Sequence, residues 1–235
     1  MTPRFLLLSL ALLAAPASAG ARSYIVTNFD RIRVDGPFEV RLTVGPVSSG
    51  NADGDPHALD DVALDVQGTM LIVHRTANGW GEQGSGKDQG PIVISVTAQA
   101  LRSATVVGGG KLAITGPVRG QKVDFQVTGT GSIDAQGLDV DEFTTTLIGS
   151  GNVSLGGVAR RAKLMTNGTG TIAAQGLAAN DLIVRLDGPG DTQGNARFTA
   201  DLTSTGLGHI AVSGDARCTK HAVAGGPITC ASDGK

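Results

Sequence analysis

The chain has 235 residues, enough for one sizeable core, and carries a net charge of −2 with 17% charged residues and no basic run. That balance excludes nucleic acid as a partner and electrostatic capture by an acidic membrane surface. The 35 glycines are interleaved with Val, Ile and Leu at regular spacing, which excludes a disordered low-complexity tract.

The first element is a leader. Met1-Thr-Pro-Arg4 is positively charged, Phe5 to Ala15 is almost wholly apolar, and Ala17-Ser-Ala19 is a small-x-small cleavage site. Residues 1–19 are thus a secretory signal peptide, too short to span a membrane comfortably. Cleavage after Ala19 leaves a chain starting at Gly20, exported to the periplasm or to the cell surface and medium. No Cys follows the apolar stretch to take a lipid, and no later stretch is expected to span a membrane as a helix.

Residues 20–97 form an N-terminal β-strand region without a repeated phrase. Ile32 and Val34 precede a Gly36-Pro37 turn, and Phe38, Val40, Leu42 and Val44 alternate beyond it. Val62, Leu64 and Val66 lead to Gln67-Gly68, Leu71 and Val73 follow, and Ile92, Ile94 and Val96 make a further strand. Two stretches rich in Gly, Ser, Asn and Asp, Pro46 to Pro56 and Thr76 to Pro91, read as irregular. The region is expected to pack on the end of the repeats that follow, as a sheet or as atypical first coils, because a terminal repeat must shield one face from water.

From 98 to 235 one phrase returns: Gly, any residue, Gly, any residue, then an aliphatic residue. It stands at Gly108 and Gly110, Gly129 and Gly131, Gly149 and Gly151, Gly168 and Gly170, and Gly206 and Gly208. A weaker copy stands at Gly188 and Gly190, and a degenerate one at Ala224. Copies lie 18 to 21 residues apart, the period of a solenoid. Counted from the first Gly, positions −6, −4 and −2 are mainly apolar, as in Val123/Phe125/Val127 and Leu182/Val184/Leu186, with polar residues between them. Positions +4 and +6 are apolar again, as in Ile133/Ala135 and Ile172/Ala174, and a further Gly falls at +8 in most copies, such as Gly116, Gly137 and Gly157. Alternation at period two marks half-buried strands, and glycine suits corners where φ is positive or backbones stack closely. Each repeat therefore reads as strand, corner, strand, corner. One such unit cannot bury its apolar face alone, but a stack of them can. The fold class is all-β, a single-domain β-helix, right-handed by the general preference of parallel crossovers. Stacked at roughly 4.8 Å, seven corners imply a rod on the order of 30 Å long.

Three features, taken in order, resemble a known family: Phe29-Asp-Arg-Ile-Arg-Val-Asp-Gly36; Leu59-Asp-Asp-Val-Ala-Leu-Asp-Val66 running on to Leu71-Ile-Val73; and the chain of Gly-x-Gly coils. From Phe29 to Ala224 the chain resembles the putative auto-transporter adhesin, head GIN domain family. The resemblance implies a bacterial exported β-helix domain and supplies no catalytic residues to carry over.

Other motifs carry little chemistry. Gly81 to Lys87 matches a phosphate-binding loop until Asp88, where Mg²⁺ would need a Ser or Thr hydroxyl, so it reads as a surface loop. Trp80, in the same segment, reads as an anchor closing that loop, with an exposed ring for a sugar or partner as the other possibility. The Gly-x-Gly phrase lacks the Asp and the nine-residue period of a calcium-binding roll. Asn152 and Asn167 open glycosylation-like triplets that are better explained as corner residues.

Stacking should align position +3 of each copy: Lys111, Ser132, Asn152, Thr171, Asp191 and His209. Asp191 beside His209, one coil from Thr171, comes nearest to a catalytic group, yet no nucleophile with an oriented base is evident. His57, His74 and His221 fall elsewhere, without metal-ligand spacing. The reading is no enzyme, no cofactor and no metal: an exported scaffold meeting an envelope polymer or surface protein. The alternative is a carbohydrate-active or carbohydrate-binding β-helix. Cys218 and Cys230, the two cysteines, fall at −6 and +6 of the last copy, both inward positions. An exported chain favours their pairing, which would cross the lumen of the final coil.

Overall fold

The computed structural model describes residues 20–76, 92–223 and 225–231. The leader, Gly81–Lys87, Trp80 and Ala224 lie outside the described residues. Strands β1 (Gly20–Tyr24), β2 (Arg31–Asp35), β3 (Glu39–Val44) and β4 (Ser49–Gly54) precede a short helix, α1 (Pro56–Asp60). Next come β5 (Val62–Gln67), β6 (Met70–Arg75), β7 (Val93–Ala98), β8 (Ser103–Gly108) and β9 (Lys111–Thr115). Five long strands follow: β10 (Val118–Gly129), β11 (Ser132–Gly149), β12 (Asn152–Gly168), β13 (Thr171–Asp187) and β14 (Asp191–Ser204). The chain closes with β15 (His209–Ser213), β16 (Arg217–Ala222) and β17 (Ile228–Cys230). From β8 onward every pairing between coils is parallel. The molecule is a β-solenoid.

Each coil has three sides, not the two strands expected from the glycine pattern. In β11 the buried residues are Ile133 and Ala135, then Leu138 and Val140, then Phe143, Thr145 and Leu147. The inward step is two along a side and three across a corner, so each break in phase marks a turn. The third side, Leu138–Val140, is short, and its far corner, Asp141-Glu142, contains no glycine. That corner can turn with ordinary residues because its side chains point into water. Phe125 and Phe143 meet edge to face in the lumen with centroids 5.2 Å apart, and Thr166 and Thr192 satisfy each other there at 2.7 Å.

In the middle phrases the two glycines serve different needs. Gly129, Gly149 and Gly168 adopt φ of +111°, +116° and +121°. Gly131 and Gly170 are absent from the positive-φ region, but a Cβ on either would stand 2.6 Å from the carbonyl oxygen of the corner glycine one coil earlier. That oxygen carries the ladder round the corner: Gly110 O accepts from Ser132 N at 2.8 Å and Gly151 O from Thr171 N at 3.1 Å.

The copies at Gly188 and Gly206 show that clearance alone can require glycine. Gly190 and Gly208 are not in the positive-φ region, so left-handed backbone is not why glycine stands there. Close stacking is the reason: a Cβ on Gly190 would run into Gly170 O, and one on Gly208 into Gly190 O. Both are pinned to the coil beneath, Gly190 N donating to Gly168 O at 2.9 Å and Gly208 N to Gly188 O at 3.0 Å. Among the first glycines, Gly188 keeps a φ of +116°, but Gly206 does not take a positive φ. At Gly206, too, the requirement is clearance, since a Cβ would collide with the Gly188 backbone.

The first third of the chain enters the stack out of sequence order. β2 lies between β6 and β8, and β3 between β7 and β9, all parallel. On the face before the Gly corner the rungs run β6, β2, β8, β10, β11, β12, β13, β14, β16, nine in all among the described residues. At ordinary strand spacing nine rungs span about 40 Å, longer than the Gly-x-Gly copies alone imply. The Gly36-Pro37 turn is itself a corner: Gly36 has φ +118° and its N–H bonds Val107 O.

Pro46 to Pro56 is not irregular throughout. β4 runs antiparallel to both β7 and β1, and glycine stands at position 50 because the site is tight: a Cβ there would meet Val26 Cγ2 at 2.6 Å. Asp55 caps α1, accepting from His57 N and Ala58 N, with Pro56 in the first turn. Ala58 and Leu59 of α1 are buried. β5 pairs antiparallel with β6 through the Gln67-Gly68 turn. The N-terminal end thus finishes in antiparallel strands and one helical turn, which halt the parallel stack.

His74 on β6 bonds Asp65 on β5 through Nε2 at 2.7 Å and Arg75 O through Nδ1 at 2.8 Å. The Asp65 bond, then the backbone bond, hold the imidazolium pKa above its ordinary 6.5. The sign follows: a raised folded pKa stabilises below the unfolded value and is lost as pH climbs through the folded one. We expect the melting temperature to fall slightly from about pH 6 to pH 8, and His74→Gln to flatten that slope.

At the other end, Cys218 pairs in register with Ala200 and Cys230 with Val212, both buried inward positions. The cysteines form a disulfide with Cα atoms 6.6 Å apart. Closing that loop contributes roughly 3 kcal/mol by chain entropy. Reduction should therefore lower the melting temperature, while intact-mass analysis after alkylation without reductant should show no added groups. Two added groups would contradict the bridge.

Candidate interaction surface

The outward side chains stand in ladders because the coils stack in register. The ladder at +3 forms as the spacing requires: Lys111, Ser132, Asn152, Thr171, Asp191 and His209 are successive partners. His209 Nε2, however, lies 3.2 Å from Thr229 Oγ1 on β17, so the imidazole is engaged by the next coil rather than oriented by Asp191. Asp191 is exposed, and Thr171 is half-buried. The trio is brought together in register but has no base-to-nucleophile bond. Cys218 and Cys230 close the lumen, and the corner glycines face adjoining backbone. Among the described residues no group of three His, Cys, Asp or Glu side chains could hold a metal ion.

The densest chemistry lies on the third corner, one residue before the strand positions that align the copies. There Lys122, Glu142, Arg161, Asp181 and Thr199 pair in register, so charge alternates in sign down the axis. Arg161 Nη1 bonds Glu142 at 3.0 Å, and Thr199 Oγ1 bonds Asp181 at 2.6 Å. One residue earlier stand Gln121, Asp141, Arg160 and Asn180, with Arg160 Nε 2.9 Å from Asp141. These four line two hollows, of about 550 and 620 Å³, on either flank of the corner. Gly120, Val140, Val158, Ala159 and Ala178 supply the apolar part of the lining of the larger hollow. Exposed ion pairs of this kind contribute little stability each.

Sequence reading passed over this corner because it has no glycine to mark it. The signal was nonetheless present, as a charge at −7 from Gly129, Gly149, Gly168 and Gly188 that alternates in sign from Lys122 to Asp181.

The family model described as "Putative auto-transporter adhesin, head GIN domain" matches residues 28–216. Among solved structures, a putative adhesin from Bacteroides fragilis superposes with a TM-score of 0.80 at 24% identity, over 91% of this chain and 97% of its own. A putative lipid binding protein from Parabacteroides distasonis gives a TM-score of 0.74 at 19% identity, over 92% and 97%. A putative adhesin from the same organism gives 0.73 at 17%, over 92% and 98%. At these identities the likeness establishes the fold. No curated protein matches the sequence.

Proposed function

The chain belongs to the putative auto-transporter adhesin, head GIN domain family, and from that premise we propose that it is a non-enzymatic exported scaffold that binds an envelope polymer or a surface protein along its outer faces. One observation carries this reading: a continuous apolar core holds outward side chains in register over many coils, so polar groups recur along a rigid line. A repeating surface suits an extended partner, since each coil offers the same kind of contact one strand spacing further on. Export rests on the leader at residues 1–19 and agrees with a disulfide-closed end. No helix among the described residues is long and apolar enough to cross a membrane. Two of the structural neighbours carry adhesin names, which supports surface binding. The second reading, an enzyme acting on carbohydrate, rests on Asp191 next to His209 in register.

Cell fractionation followed by crosslinking identifies what the protein touches. We expect it outside the cytoplasm and joined to an envelope component. Recovery in the cytoplasm would refute the reading. Incubation with the glycans it binds should release no product; release that vanishes in Asp191→Ala would establish the enzyme instead.

A further inference from the structure

We propose that the third corner is a binding groove for a neutral oligosaccharide lying along the solenoid axis, with Phe198 as the aromatic platform at one end. The proposal rests on the surface-binding reading above and narrows it to one site and one ligand class.

The first observation is a bulge. Ala179 pairs with Ala196 and Asp181 with Thr199, so Arg197 and Phe198 together oppose the single residue Asn180. An extra residue in one strand re-aims side chains, and bulges are kept where that is useful. Here it sets Arg197 into the wall of the larger hollow and leaves Phe198, the next residue, 65% exposed one coil beyond Asn180. The other described phenylalanines, Phe29, Phe38, Phe125 and Phe143, are all buried to 3% exposure or less. The core therefore takes phenylalanine readily, and at position 198 the ring is held out in water. Val158 lines the same hollow at 46% exposure, adding a second apolar contact.

The second observation is the row of planar polar groups leading to that ring. Gln121, Asp141, Arg160 and Asn180 occupy successive coils, and Asp141 and Arg160 form an ion pair at 2.9 Å. Amide, carboxylate and guanidinium planes each offer two hydrogen-bonding atoms side by side, which matches the neighbouring hydroxyls of a sugar ring. An aromatic face packs on the C–H face of such a ring while the polar groups fix its orientation. The coil spacing of about 4.8 Å is close to the length of one sugar unit in an extended chain, so successive rungs can meet successive units.

The third observation is charge. Lys122, Arg160, Arg161 and Arg197 stand against Asp139, Asp141, Glu142 and Asp181, so the charges at the corner balance, with signs alternating from coil to coil. A strongly anionic polymer gains little there because each attraction is followed by a repulsion one coil on. A neutral or N-acetylated chain does not meet that conflict.

The test is binding of the purified protein to an array of neutral, N-acetylated, uronate-bearing and sulfated oligosaccharides of graded length. We expect neutral or N-acetylated chains to bind, more tightly with length, and salt to weaken binding little. Phe198→Ala and the double variant Arg160→Ala/Asn180→Ala should each lose about tenfold or more in affinity, while Arg185→Ala on another face keeps it. Thermal melts equal to wild type show that the exposed substitutions leave the fold intact. Undiminished glycan binding in both corner variants overturns the site and leaves the surface-binding reading standing. Binding only to sulfated or uronate chains, or only to a crosslinked protein, overturns the ligand class. Envelope fractions that retain no protein at all remove the reading beneath it.

Discussion

Val184→Asp should unfold the middle of the solenoid, whereas Arg185→Asp, one residue away, should leave the melting temperature nearly unchanged. Val184 is fully buried and lies in register between Leu164 and Leu202, both also fully buried. A carboxylate there loses hydration and finds only aliphatic neighbours, which costs at least about 4 kcal/mol. For a chain of this size the midpoint should fall by about 10 °C or more. Arg185 points outward and is exposed, its register neighbours being Met165 and Thr203. Leu164→Asp and Lys163→Asp repeat the contrast one coil earlier. Thermal denaturation of the four variants tests the strand register directly: equal losses at inward and outward sites would show the register to be wrong.

The second large effect is expected at the corners. Gly149→Val and Gly168→Val should each cost about 3 kcal/mol or more, because a β-branched residue must take a positive φ and its Cβ meets backbone. At Gly149 the φ is +116° and the added carbon would lie 3.2 Å from the carbonyl carbon of Gly129. At Gly168 the φ is +121° and the nearest backbone nitrogen, that of Gly149, would be 3.1 Å away. Neither neighbour can yield, since each is bound into the next coil: Gly149 O accepts from Thr169 N at 3.0 Å. Gly109→Ala is the matched control. Its φ is not positive, and an added Cβ would meet only the hydroxyl of Thr130 at 3.4 Å. Wild-type melting temperatures in both valine variants would remove φ and backbone clearance as the reason for glycine at those corners.

Both expectations concern features legible without coordinates. The inward set Val123/Phe125/Val127 and its counterparts announce themselves by period two, and the corners by a phrase recurring every 18 to 21 residues. These signals are local. A side chain's alternation depends on its own strand, and the positive φ that favours a first glycine such as Gly149 belongs to its own residue, although the clearance over Gly129 does not. The fold class follows from such signals alone, as does the inward position of Cys218 and Cys230.

The remaining features are non-local. No pattern within Arg31–Val44 tells that β2 and β3 slot between β6/β7 and β8/β9, because that order is chosen by which exposed edges meet, not by the strands' own residues. Gly50 looks like a loop residue until Val26 is found across from it. Gly190 and Gly208 look like left-handed corners until the carbonyl oxygen of the coil beneath is found against each. The third corner is the same case at the surface. Lys122, Glu142, Arg161 and Asp181 are isolated charges about twenty residues apart in the chain, and become one alternating row only when parallel pairing sets them a single strand spacing apart. The bulge that lifts Phe198 out beside Arg197 is visible only as a mismatch between two registers, Ala179 with Ala196 and Asp181 with Thr199. Periodicity reports which way each residue faces; which residues share a place is settled by the stacking of coils, where each hydrogen-bond ladder is shared between segments distant in sequence.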